Sequence, residues 1–321
     1  MAFNVSALSN YTIENQDLLV SAAVLGAKTA TLIKNQGNVM VGVKSAEKIN
    51  IMDTDAVFQA GGTCGFNASG TTTFTQRSVT IGKIKVNEAL CIKSLETKYL
   101  QKALPAGSMY TEMVYAEDYS NLKAAKIAAQ LETAIWQGDT DSQTANLARF
   151  DGLIKLAGAD NTVVAANSTT YLPAAITTTT GIVAANVISI FDAVYKAIPA
   201  QIVAMDSTKI FCGQDVFRTY TIALKNANMF HYAVDAKADS SFYLPGTSIE
   251  VIATPGLNGT SKIYATNLEN LFLGTDLLNE EEKFEIFYAK EADEVRFVSE
   301  FKMGVNYAFG SQVVAFILAT P

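Results

Sequence analysis

The sequence predicts an α+β fold, and three observations predict it. Two strand-like stretches flank a glycine-rich turn between residues 37 and 91. One long helical stripe covers about 113–137. A helix–strand–helix body then leads into a strand-rich C-terminal third. The 321 residues leave room for two domains, or for one large body with extensions. Apolar residues make up 49% and charged residues 17%, which argues against disorder. So little charge also suggests that much of the surface is covered, for instance by other copies of the chain.

Taken in order, residues 1–36 read as an arm. Leu18, Leu19, Val20, Ala22, Ala23 and Val24 predict a short helical piece in an otherwise extended segment. Residues 37–91 read as β. Val39, Val41 and Val43 alternate, as do Ile49 and Ile51, and Phe74–Ile81 is again strand-like. Gly61–Gly70 is the turn-rich centre. The apolar phase shifts near Gly82, from Val79 and Ile81 to Ile84 and Val86, which predicts a bulge or bend. The whole stretch is expected to form one long two-stranded ribbon with its tip near 61–70. An isolated two-stranded ribbon is barely stable in water, so one this long needs a partner surface.

Ala124, Ala128, Leu131 and Ile135 share one helical stripe, and Gly138 is a plausible stop. The Thr-rich stretch 160–182, uncharged after Asp160 and including Thr177–Thr180, reads as loop or weak strand. Val187, Ile190, Phe191, Val194 and Ile198 define a second helix ended by Pro199. Lys209–Cys212 is a short strand, and Gly213 turns into a third helix through Asp215, Val216, Phe217, Tyr220 and Leu224. From 248 onward strands dominate. Ile249 and Val251 alternate with Glu250 and Ile252, and Pro255–Gly259 turns the chain. Val295, Phe297, Phe301 and Met303 lie on one face, with Arg296, Glu300 and Lys302 on the other. Val313–Leu318 closes the chain as a buried strand too short to span a bilayer.

Chemistry-bearing motifs are sparse. His231 is the sole histidine, flanked by Phe230 and Tyr232, and no acidic partner stands at an informative spacing. No Gly-x-Ser-x-Gly elbow, Walker A loop or Gly-x-Gly-x-x-Gly fingerprint occurs. Glu280–Glu282 reads as a solvated loop, because consecutive carboxylates do not share a helix face. Asp139–Gln143 starts like a calcium loop, but lacks the glycine at its sixth position and the glutamate at its twelfth. Cys64, Cys91 and Cys212 form neither a disulfide framework nor a zinc signature, and read as reduced thiols. The net charge of −7, with no Lys/Arg run longer than two, disfavours sequence-directed nucleic-acid binding. The sequons at Asn4, Asn10, Asn67, Asn167 and Asn258 are chance matches in an Asn/Ser/Thr-rich chain without a signal peptide. No catalytic, cofactor-binding or metal residue is therefore assigned, and no cofactor is expected.

The segment order resembles that of the HK97-type major capsid proteins of tailed bacteriophages. Asn15–Leu19 through Gly26–Ala30 looks like their N-terminal arm, and the ribbon like their extended E-loop. Val86–Cys91 and Leu95–Leu100 look like the return into the peripheral domain. Arg149–Leu153 is similar to the segment after the spine helix. The wording is most similar to capsid proteins of phages infecting Bacteroidota, of crAss-like type.

The resemblance implies an arm at 1–36 and an E-loop at 37–91. It also implies a peripheral domain from 92–160 and 276–321, and an axial α/β domain over 161–275. It implies a structural subunit, not an enzyme, that self-assembles into pentamers and hexamers of an icosahedral or prolate head around double-stranded DNA. Assembly would take place in the host cytoplasm. Partners would be a portal protein, decoration proteins and, since the chain starts directly on arm-like sequence with Met1, a separate scaffolding protein. Some family members form Lys–Asn isopeptide links. Lys44 and Lys48 lie near the ribbon, but no acceptor Asn is identifiable, so no cross-linking is predicted. Competing readings are an encapsulin-like compartment, a β-rich binding module that should carry a secretion signal, and a hydrolase built from distant carboxylates.

Overall fold

The computed structural model describes residues 16–59, 61, 65–66, 68–91, 112–173, 176, 181–227, 241–276, 283–289, 291–292 and 294–318. The first two elements are helices, α1 (Gln16–Leu25) and α2 (Lys28–Asn35). The short helical piece is present, but an extended arm does not follow it. Leu19, Val20, Ala23, Val24, Ala27, Ala30 and Ile33 are all buried. This segment is therefore part of the core, and its small residues let it pack closely. It lies against α3 (Glu112–Gln137), the long helix expected from the stripe, which buries Ala124, Ala128, Leu131 and Ile135.

A buried polar knot joins the two. The Thr29 backbone N–H and hydroxyl donate to the Glu132 carboxylate at 2.8 and 2.7 Å, and Trp136 Nε1 donates to the Thr29 hydroxyl at 2.9 Å. Burial pushes the Glu132 carboxyl up, and the Thr29 hydrogen bonds offset this only in part.

The β region divides differently from one long ribbon. After β1 (Val39–Met40), only β2 (Ala46–Thr54) and β3 (Thr72–Thr80) pair with each other, from Ala46↔Thr80 to Thr54↔Thr72. The phase shift near Gly82 marks a change of sheet. β4 (Gly82–Cys91) leaves the ribbon and pairs along its length with a later strand, β12 (Glu294–Tyr307). Glycine is required at the switch, since a Cβ on Gly82 would sit 1.9 Å from the Arg149 carbonyl oxygen. β1 is not part of the ribbon either. It pairs in parallel with β10 (Leu271–Thr275), which also pairs with β12. With β11 (Lys283–Ala289) these strands make a five-stranded sheet against α1, α2 and α3.

On β12 the residues Val295, Phe297, Phe301 and Met303 face the core as expected. Lys302 does not face solvent. It is 6% exposed and its ammonium lies 2.8 Å from the carboxylate of Asp276, itself 1% exposed. A buried cation of this kind persists only because it is paired. Burial opposes ionisation of Asp276, but hydrogen bonds from Lys302 and Lys44 hold its carboxyl below the usual range.

After α4 (Leu153–Ala159), the Thr-rich stretch contributes only the two-residue strand β5 (Val164–Ala165). Thr177–Thr180 lies outside the described residues. The α/β body follows: α5 (Val187–Ala197), a single turn α6 (Ala200–Val203), β6 (Thr208–Cys212) and α7 (Gln214–Asn226). β7 (Ser241–Tyr243), β8 (Glu250–Ala253), β9 (Lys262–Asn267) and β13 (Val313–Ile317) complete a six-stranded sheet of order β5-β13-β9-β6-β8-β7.

The last strand, β13, belongs to this six-stranded sheet. It inserts between β5 and β9. The simple alternation expected over Ile249–Ile252 fails in the same sheet. Ile252 is buried as well as Val251, because this sheet has a core on each face. Val251, Ile210, Ile263 and Phe316 point into the core shared with α5 and α7. Ile252, Phe211, Tyr264 and Ala315 point into the core shared with α3.

Candidate assembly surface

No described group brings together the residues of a catalytic or metal site. His231 and Glu280–Glu282 lie outside the described residues, as does Cys64. Cys212 is fully buried in β6, and burial pushes its thiol far above the ordinary range. The calcium-like stretch after α3 is already occupied by a cation. Lys155 Nζ lies 2.6, 2.7 and 2.9 Å from the carboxylates of Asp139, Asp141 and Asp151. Hydrogen bonds to these three raise the Lys155 ammonium, so the loop's negative charge is met in part from within the chain. Among the described residues, no group of three or more His, Cys, Asp or Glu side chains could hold a metal ion, and no helix is long and apolar enough to cross a membrane.

What the surface does offer is the β2–β3 ribbon. Strands of nine residues, at ~3.3 Å each, make it about 30 Å long. Its root is fixed. Ile49, Ile51 and Val79 pack with Ala308, Met40 and Phe272. Asn306 Nδ2 donates to the Ser78 carbonyl at 2.7 Å, and the Ile81 N–H to the Ser45 carbonyl at 3.0 Å. Gly304 on β12 admits the ribbon, because a Cβ there would lie 2.1 Å from the Thr80 carbonyl oxygen.

Beyond the root, the ribbon is exposed on both faces. Met52 and Phe74 stand directly opposite each other on the face away from Ile49 and Ile51, at 60% and 77% exposure. At the tip Phe58 and Phe66 are 99% and 94% exposed, with Val57 also uncovered. Bare aromatic side chains gathered on so narrow a projection are unusual for a chain that works alone. Sequence reasoning passed over these side chains. The usable signal was two phenylalanines, 58 and 66, flanking a glycine run where polar turn residues belong.

An electrostatic latch holds the root. The Arg77 guanidinium on β3 pairs with Asp160 after α4 and lies 4.7 Å over the Tyr307 ring. The Tyr307 hydroxyl donates to the same carboxylate at 3.0 Å. Burial alone would raise the Asp160 carboxyl. Hydrogen bonds from the Thr162 hydroxyl and backbone, and from Arg77 and Tyr307, outweigh it and hold the group at about 2. A depressed carboxyl stabilises the fold above its unfolded value of ~3.9, and that contribution disappears as pH falls through about 2. Allowing for solvent around the half-open Arg77, the latch contributes about 1–2 kcal/mol at neutral pH. Asp160→Asn is therefore expected to lower the urea midpoint at pH 7 and to flatten the acid limb between about pH 4 and 2. An unchanged midpoint would mean that the pair contributes nothing.

The fold as a whole is similar to that of chains from solved phage and GTA capsids. A chain of the satellite phage P4 procapsid that includes the size determination (Sid) protein aligns over 94% of this chain and 90% of its own. The TM-score is 0.58 at 11% identity. A chain of the cyanophage A-1(L) capsid aligns over 92% of this chain and 93% of its own, with a TM-score of 0.57 at 13% identity. A chain from the capsid of an empty GTA particle covers 94% and 91%, with a TM-score of 0.54 at 11% identity. At these identities the likeness is one of fold, and the chain has the HK97-type α+β fold of these capsid proteins. No protein-family model and no curated protein matches the sequence.

Proposed function

We propose that this chain is the major capsid subunit of a tailed bacteriophage. It self-assembles into the pentamers and hexamers of an icosahedral or prolate head that encloses double-stranded DNA. The observation that carries this reading is the root-fixed ribbon with its bare aromatic tip, borne on a body with the capsid fold. On this reading the protein is structural and not an enzyme. It resides in the virion after assembly in the host cytoplasm. The portal, a separate scaffolding protein and decoration proteins are its implied partners. The narrower affinity with phages of Bacteroidota rests on sequence wording alone. The division into arm, E-loop, peripheral and axial domains is kept in outline, with 16–35 reassigned to the core and the ribbon confined to 46–80.

The charge supplies a test. With a net charge of −7 per copy, subunits repel at long range. That repulsion is screened beyond ~8 Å at physiological salt, whereas apolar burial survives added salt. Repeated weak contacts then add up around a closed shell. Light scattering and electron microscopy of the purified protein, with its scaffold, should show assembly improving from low to moderate salt. Shells that fall apart in a few hundred millimolar salt would place ion pairs, not apolar contacts, at the interfaces. A protein that stays monomeric throughout would end the shell-forming reading. Particles that never hold nuclease-protected DNA would point to an encapsulin-like compartment.

A further inference from the structure

A pocket of about 520 Å³ opens between α5, α7 and the loop that joins β7 to β8. That volume falls within the usual range of small-molecule sites, about 300–1,000 Å³. Its walls are mostly apolar, from Ile188, Leu224, Leu244 and Pro245. Two phenols, Tyr195 and Tyr220, stand among them, and Asp192 is the one charged side chain in the lining.

These walls are held in place by their own contacts. Phe191 stacks on the Tyr220 ring at 4.1 Å between centroids, and Phe242 stacks on it at 5.3 Å. The loop is pinned by the Leu244 N–H, which donates to the Ile249 carbonyl at 2.8 Å. The Thr247 hydroxyl also donates to the Leu244 carbonyl at 3.0 Å. Gly246, at φ +78°, makes the turn between them.

Tyr220 is only 2% exposed, yet its hydroxyl has no hydrogen-bond partner among the described residues. A buried hydroxyl without a partner is costly, and this residue lines the pocket. Burial pushes the phenol up, and the Asp192 charge adds to the push, so the carboxylate lies within electrostatic reach of the hydroxyl. Asp192 itself is exposed and makes no ion pair or hydrogen bond with any described residue. Lys196, one turn further along α5, neither pairs with it nor lines the pocket.

The chemistry of the lining selects the ligand. A lone carboxylate beside phenol rings attracts an ammonium group, by its charge and through the electron-rich ring faces. An anion is repelled, because no basic side chain lines the pocket to offset Asp192. One carboxylate is too few for a divalent metal ion, which takes six or more oxygen ligands. The apolar walls call for a hydrocarbon body on the cation. We propose that this pocket binds a small organic amine, an alkyl- or arylalkylammonium. Its nitrogen sits between Asp192 and the Tyr220 hydroxyl, and its body lies against Leu224, Leu244 and Pro245. The site goes beyond the shell-forming reading and does not depend on it.

Isothermal titration calorimetry of the full-length protein with phenethylamine at pH 7 tests the site. One saturable site per chain is expected. Asp192→Asn should weaken binding about fivefold or more, and Tyr220→Phe, which keeps the stacked ring, about threefold or more. Asp206→Asn alters another exposed acid of the same α/β body and should leave binding unchanged. That control separates the pocket from loose attraction to a chain of net charge −7. Phenylpropanol and phenylpropanoate, of similar shape but neutral and anionic, should bind about tenfold more weakly or not at all. Circular dichroism melting of each variant should match the parent, so that weaker binding reflects the site and not unfolding. Absence of saturable binding would overturn the proposal, as would an alcohol that binds as well as the amine. So would an Asp192→Asn variant that binds like the parent, or an equal loss in Asp206→Asn. Each of these outcomes leaves the shell-forming reading standing.

Discussion

Replacing residues 55–71 with a two-residue Asn-Gly turn is expected to leave the subunit folded and to abolish shell formation. The excision stops at the last ribbon pair, Thr54↔Thr72, so the root contacts survive intact. A type I′ turn matches the twist of the two strands, and the shorter loop lowers the entropy cost of closure slightly. The removed side chains Val57, Phe58 and Phe66 contribute nothing to the core, because all three are exposed. The melting temperature of the isolated subunit should therefore hardly move.

Assembly is a different matter. Each phenylalanine buried at a subunit contact is worth about 1.5–3 kcal/mol, so two are worth about 3–6 kcal/mol per contact. That is roughly a 10²- to 10⁴-fold loss at one contact, and the loss repeats at every contact in a shell. Analytical ultracentrifugation and electron microscopy would read it directly. Particles of normal size and heat resistance from the truncated chain would show that the ribbon is not an assembly element.

The second large effect lies in the body. Trp136, the only tryptophan in the chain, is 1% exposed. It packs at ring-centroid distances of 5.3 Å from Phe211 and 5.7 Å from Tyr264, both on the six-stranded sheet. Its Nε1 also donates to Thr29, which is itself bound to Glu132. One side chain thus ties α3 to the sheet and to the N-terminal helices. Trp136→Ala should cost about 3–5 kcal/mol. That is a fifth or more of the total stability of a typical domain, taken as ~5–15 kcal/mol. Trp136→Phe keeps most of the packing and forfeits one buried hydrogen bond, so about 1–2 kcal/mol is expected. Because the intrinsic fluorophore is lost, urea unfolding should be followed by circular dichroism. A midpoint unchanged in the alanine variant would remove Trp136 as the junction.

Several elements were legible in the sequence because their signals are local. The stripe Ala124, Ala128, Leu131 and Ile135 gave α3, and Val187 to Val194 gave α5, since periodic burial on one face needs no knowledge of the partner. The phase break at Gly82 was visible too, but its meaning was not. Whether a strand bends within a ribbon or moves to another sheet depends on β12, more than two hundred residues away. α2 escaped notice because its eight residues hold only three buried positions, and Thr29, Thr31 and Ile33 are β-branched, which lowers helix preference. Tertiary contacts, including the Thr29–Glu132 bonds, overrode that weak local preference. The same limit hid the latch and the pocket. Arg77 and Asp160 stand 83 positions apart. The pocket gathers Asp192 and Tyr195 of α5, Tyr220 of α7 and Leu244 from separate stretches of the chain.

The six-stranded sheet with a core on each face also governs how such a subunit can yield. Val251 and Ile252, Ile210 and Phe211, Ile263 and Tyr264 are neighbours in sequence that answer to opposite layers. Among the described residues the two layers share these strands, so peeling either one strips the same sheet. Local opening is cheapest where few apolar contacts hold the backbone, and that is the outer ribbon. Under a load applied from inside a container, such a piece behaves as a stiff tile with a pliant tab. In the shell proposed above, the give would belong to the joints between tiles, and such a wall could change its curvature without any tile losing its shape.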